Sequence, residues 1–227
     1  MIYLYMQSKN PQISDSLWTE IKSEYYRKAK ELLSSLDSYI DASGMKNKGE
    51  RIQTSILMLR SLEHLLVASK GKKMPTALKK DVNGKPCFEG GKLFVSISHS
   101  ASDIVICYSF DREIGVDIED EIDEERTEKL GKRFPKIDKL TWKNSGDKDK
   151  KICVFEFSSD EFTSFDLSFS PTCFTAKWTA AEAVMKCCGG GFSTLPELDV
   201  AAAESKVLSF EKVSENTKTY ISVAIKR

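Results

Sequence analysis

Three runs between residues 92 and 119, KLFVSIS, DIVICYSF and EIGVDIE, each carry apolar residues over the length of a strand. The connections HSAS and DR between them are short enough for hairpins, so the runs predict an antiparallel meander. Upstream, IYLYM predicts a starting strand, and Leu17, Ile21, Tyr25 and Leu32 recur at helical spacing in a helix from about Ser14 to about Leu36. RIQTSILMLRSLEHLLVASKG predicts a second, strongly apolar helix ended by Gly71 as a glycine cap. Downstream, a short helix is predicted over Glu124 to Arg133, and NSGDKDKK reads as an exposed loop. KICVFEFSS and FTSFDLSFS alternate like strands. SPTCFTAKWTAAEAVMKCCGGG predicts a helix with Ser170 as N-cap, Pro171 in first position and a glycine stop. KVLSFEKV and KTYISVAIK close the chain as strands. Helix then strands, followed by strands, helix and strands, predicts an α+β protein of two lobes.

Composition narrows the class. A chain of 227 residues can form one large domain or two small ones, and 41% hydrophobic residues exclude a disordered chain. Lys and Arg number 34 and Asp and Glu 34, so the whole carries no nucleic-acid or membrane-surface signature. The distribution is uneven. Nine basic residues lie between Lys46 and Lys80 against Glu50 and Glu63, while eight acids between Asp117 and Glu128 face Arg126 alone. The two regions are either solvated faces or the two sides of a site for an anionic ligand that brings a cation. The six cysteines show no paired metal-ligand spacing. MIYLYMQSKN lacks the basic start and long apolar core of a signal peptide, and no run approaches a membrane span, which predicts a reduced, cytoplasmic protein.

In GVDIED, alternation puts Asp117 and Glu119 on one strand face and Val116 and Ile118 on the other. The pair is either a solvated face or part of a magnesium site, since Mg²⁺ takes one or two carboxylates and completes its shell with water and phosphate oxygens. On the later helix Phe174, Trp178, Ala181 and Met185 share one face, with Glu182 bordering it and Lys186 a turn further on. Glu182 and Lys186 form either an exposed ion pair or a third acid and a cation for the same site; Thr179 with Glu182 would also fit a capping box. His99, in the SISHS that closes a strand, reads as a structural histidine or a ligand contact, and Lys85 in NGKP as a turn residue.

In combination these pieces say more. GKP at 84–86, SISHS at 96–100, IGVDIE at 114–119 and W-T-A-A-E-A-x-x-K at 178–186 resemble, in order and spacing, the 4'-phosphopantetheinyl transferases, specifically their larger, two-lobed surfactin-synthetase-activating type. The starting strand and the Arg51-x8-Arg60 pattern extend the resemblance. It implies two pseudo-symmetric α+β lobes, 1–113 and 114–227, with the active site in the cleft between them. It also implies Mg²⁺-dependent transfer of the phosphopantetheine arm of coenzyme A to a serine of an apo acyl or peptidyl carrier protein, releasing 3',5'-ADP. Asp117, Glu119 and Glu182 would hold the metal, Glu182 would take the serine proton and Lys186 would contact the pyrophosphate. Arg51, Lys85, Ser98 and His99 would hold the adenine and 3'-phosphate end, and a monomer would suffice. The sequence departs from the family at Ala181, where a lysine usually precedes the glutamate. That departure leaves open a homologue that binds coenzyme A but transfers poorly. A second departure runs from Ile137 to Ser170, a charged insert expected to tune carrier choice.

Overall fold

Alternation in the first strand decides the layering. In the computed structural model, which describes residues 1–42, 44–68, 75–89, 92–137, 152–156, 173–190, 196–213 and 218–226, β1 (Ile2–Ser8) lies inside a four-stranded sheet. Its order is β4 (Phe94–His99), β5 (Asp103–Ser109), β1 and β7 (Ile152–Glu156). β5 is antiparallel to β4 and β1, and β7 joins β1 in parallel. Tyr5 turns to one face of this sheet while Ile2, Leu4 and Met6 turn to the other, as period-two alternation requires.

Two helices, α1 (Asp15–Asp41) and α2 (Gly44–Ala68), cover the Tyr5 face. Ile21, Tyr25 and Leu32 of the first pack there with Ile52, Ile56 and Leu59 of the second. α1 is longer than the predicted helix and is not straight. Ala29 leaves helical geometry at φ −143°, ψ 30°, and beyond it the chain folds back so that Trp18 Nε1 donates to Asp37 Oδ1 at 2.8 Å. In a straight helix those two residues would stand about 28 Å apart.

The remaining faces belong to a second, antiparallel sheet of β6 (Ile114–Asp120), β9 (Lys218–Lys226) and β8 (Ser205–Val213), in that order. Val116, Ile118, Ile221, Val223 and Phe210 form one apolar cluster with Leu4 and Met6 of the first sheet. On the outer face, α4 (Phe174–Cys188) and α5 (Leu198–Glu204) pack Trp178, Val184 and Leu198 against Val207 and Ala224. α3 (Glu124–Arg133) matches its predicted span. Asp123 caps it by accepting from the Arg126 N–H, and acids in the first turn and basic residues in the last suit the helix dipole. A small hairpin, β2 (Ala77–Lys80) and β3 (Pro86–Glu89), turns through Gly84 at φ 84°.

The predicted meander holds for β4 and β5 only. β6 leaves β5 and pairs with β9, whose nine residues supply a full-length apolar partner from the far end of the chain. β4 and β6 still meet edge to edge, through a side chain: Ser96 Oγ accepts the Val116 N–H at 3.0 Å. The insert also contributes to the first sheet, because β7 lies within it. α4 begins at Phe174 with Cys173 as N-cap, later than predicted, and ends at Gly189, where φ 77° needs a glycine. Gly71, Ser170, Pro171, FTSFDLSFS and NSGDKDKK lie outside the described residues. Among those described, no helix is long and apolar enough to cross a membrane.

Candidate active site

Val116 and Ile118 fill the face of β6 toward the first sheet, so Asp117 and Glu119 leave the other face, and α4 lies on it. Gly115 permits that approach. A Cβ at this position would stand 2.0 Å from the Ala183 carbonyl oxygen and 2.4 Å from the Cys187 nitrogen. The close fit brings Glu182 and Lys186 of α4 over the acids of β6.

The centre is a tight polar knot. Lys186 Nζ donates to Asp117 Oδ1 at 2.6 Å and to Ser98 Oγ at 2.8 Å, and Ser98 Oγ donates to Asp117 Oδ1 at 2.8 Å. Asp117 is 2% exposed, and its second oxygen, Oδ2, is buried with no donor. Burial and then the charge of Asp117 push the Glu182 carboxyl up to about 8, against the opposing pull of Lys186. Glu119 is also raised by burial, although Arg126 NH2 of α3 lies 2.5 Å from its Oε1. Among the described residues no three acid, histidine or cysteine side chains stand gathered as a metal cage. Carboxylates pressed together without a cation repel one another, and Glu119 is instead engaged by arginine. Two buried carboxyls that share a proton, with one Asp117 oxygen met by no nitrogen or hydroxyl donor, fit a hard divalent cation, which would replace that proton and supply the missing charge.

The raised Glu182 has a consequence for stability. The folded protein keeps a proton that the unfolded chain releases in the ordinary glutamate range, so the associated stability is present below that range. It is lost as pH rises toward about 8. In the presence of a chelator, urea unfolding is expected to show a loss of up to about 5 kcal/mol across this window. Glu182→Gln is expected to flatten the slope; an equal slope in the variant would assign it to another group.

The other sequence-derived residues are placed around this centre. His99 follows Ser98 at the end of β4 and reaches α2, where Nε2 lies 3.0 Å from Glu50 Oε1; burial lowers its proton affinity. Lys85 Nζ donates to Glu113 Oε2 at 2.9 Å and to the Cys187 carbonyl at 3.0 Å, tying the β2–β3 turn to the end of α4. Gly84, Lys85, Pro86, Ile97 and Lys186 share the wall of a cavity of about 220 Å³ beside the knot. Arg51 does not join them. Its NH1 donates to the Tyr39 carbonyl at 2.5 Å and its guanidinium stacks 4.6 Å above the Tyr39 ring, holding α2 to α1.

Ala181 is fully buried in the apolar cluster with Ile122, Ile137 and Trp178. The position therefore faces packing rather than the acids. Ala181→Lys is expected to destabilise the fold by about 3 kcal/mol through overpacking and a buried charge, lowering Tm by about 6–12 °C. A melting temperature equal to the parent's would show that a lysine here finds a way out to the site.

Arg126, Gly115, Glu50 and Lys9 were not singled out from sequence. A glycine inside an otherwise apolar strand signals the approach of another backbone, which was legible for Gly115. Glu50 and Lys9 depend on contacts between distant segments, and Arg126 on how α3 turns back over the end of β6. No family model and no curated protein matches the chain.

Proposed function

We propose that this protein is a Mg²⁺-dependent 4'-phosphopantetheinyl transferase acting on coenzyme A and an apo acyl or peptidyl carrier protein. The observation that carries the reading is the knot of Ser98, Asp117 and Lys186 beside Glu182, drawn from both sheets to their seam and opening beside the Gly84–Pro86 turn. On this reading the lobes are 1–113 and 114–227, related by pseudo-symmetry, with coenzyme A in the cleft between them. β7 is then a strand of the second half that returns to the first sheet.

Asp117 and Glu182, with Glu119 if it exchanges Arg126 for the cation, would hold Mg²⁺. When bound, the metal neutralises charge building up on the pyrophosphate. Lys186 would contact that pyrophosphate, and Ser98, which accepts from Lys186 and donates to Asp117, holds both in position. The serine oxygen of the carrier attacks the phosphorus that bears the pantetheine arm, and the bond from that phosphorus to the bridging oxygen breaks. 3',5'-ADP leaves with the electron pair, and Glu182, which would give up its own proton in binding the cation, accepts the one lost by serine. His99 and Lys85 remain as the contacts proposed for the nucleotide end. Burial of Ala181 supports transfer over mere binding, because the charge missing at that position would not have faced the knot.

Detection of 3',5'-ADP tests the reading. Its release is expected only when the protein, coenzyme A, Mg²⁺ and an apo carrier are present together. Nucleotide cleavage without a carrier would indicate a phosphate hydrolase built on the same acids.

A further inference from the structure

Ser98 and His99 are adjacent on β4 but serve different surroundings. Ser98 Oγ lies in the buried knot, whereas the half-exposed His99 ring extends to Glu50 on α2. The two oxygens of Glu50 are both engaged: Oε1 lies 3.0 Å from His99 Nε2, and Oε2 accepts from Lys9 Nζ at 2.6 Å. Side-chain exposures of 20% for Lys9 and 28% for Glu50 set this pair apart from a solvated surface ion pair. The partners are also held from behind, since Lys9 N–H donates to the Ser102 carbonyl at 2.7 Å and Glu50 belongs to α2. A carboxylate thus already bridges the imidazole and the ammonium that an anionic group would otherwise find there.

Coenzyme A carries a phosphate on its ribose 3'-oxygen in addition to its pyrophosphate. On the transferase reading, on which this inference rests, Lys85 and His99 hold the nucleotide end, and of the two it is His99, sharing Glu50 with Lys9, that takes that phosphate. There it would have to displace Glu50 or bear its charge at close range, and like charges so placed repel. We propose that Glu50 is a specificity-determining residue that stands in for the 3'-phosphate. The site then accepts dephospho-coenzyme A, which lacks that group, about as well as coenzyme A.

Calorimetric titration of both ligands, with Mg²⁺, into the parent protein, Glu50→Gln and Glu50→Asp tests this. The parent is expected to bind the two within about threefold of each other, and Glu50→Gln to favour coenzyme A by about tenfold, the worth of one recovered charge-assisted contact. Glu50→Asp, which keeps the charge, is expected to retain the parent's ratio. A merely structural defect would weaken both ligands together and leave the ratio alone. A parent that already prefers coenzyme A tenfold, a ratio unmoved in Glu50→Gln, or one that shifts equally in Glu50→Asp would each overturn the role of Glu50 and leave the transferase reading standing. Failure of all three proteins to bind either ligand would overturn the transferase reading and this inference with it.

Discussion

Asp117→Asn is expected to lower carrier modification by about a thousandfold while the protein remains folded. The substitution preserves shape and keeps an oxygen for Lys186 and Ser98, which now meet at Asp117 Oδ1. It removes the negative charge that makes Oδ2 a ligand for a hard cation, and that oxygen is the one buried without a donor. It also removes the second largest cause of the raised Glu182 proton affinity, so the pH at which Glu182 ionises is expected to fall. Initial rates of carrier modification, with a thermal melt on the same sample, check both parts. A folded variant within tenfold of the parent rate would show that transfer does not use this centre.

Gly115→Ala is expected to be the most destabilising single-methyl change described here. The added carbon would fall 2.0 Å from the Ala183 oxygen and 2.4 Å from the Cys187 nitrogen, both backbone atoms that cannot rotate away. α4 would have to lift from β6, disturbing the buried contacts of Trp178, Val184 and Met185. A cost of about 4 kcal/mol or more follows, with Tm lower by about 10 °C or more. Because Glu182 and Lys186 ride on α4, coenzyme A binding should weaken with it. Gly131→Ala provides the contrast: its Cβ would meet only Phe174 Cε2, at 3.9 Å, so replacing this helical glycine of α3 should leave Tm unchanged or raise it. Equal melting temperatures for the two variants would mean that β6 and α4 are not in the contact described.

Local signals carried much of this fold. α3 was legible because Asp123, the early acids and the late basic residues are all contained within a dozen positions. The bend of α1 was not, because Ala29 is a good helix former and the fold-back is closed by Trp18 and Asp37, nineteen residues apart. Nor was the departure of β6 from the meander: short connections favour pairing with β5, and only the distant β9 overrides them. In the site, alternation placed Asp117 and Glu119 on one face, and helical spacing placed Ala181 with Trp178 and Met185, all three of which are buried. Alternation could not tell whether the acids' face met water or α4. Glu50 was counted as a minor acid within a basic region, and its bridge between His99 and Lys9 joins three segments that sequence distance separates.

The most direct measurement is the intact mass of a panel of apo carrier proteins after incubation with this protein, coenzyme A and Mg²⁺, with a chelator control. The expected result is a gain of one phosphopantetheine arm on at least one carrier, abolished by the chelator and by Asp117→Asn. Carriers that keep their apo mass throughout, while the protein is folded and binds coenzyme A, would contradict the assignment of a transferase.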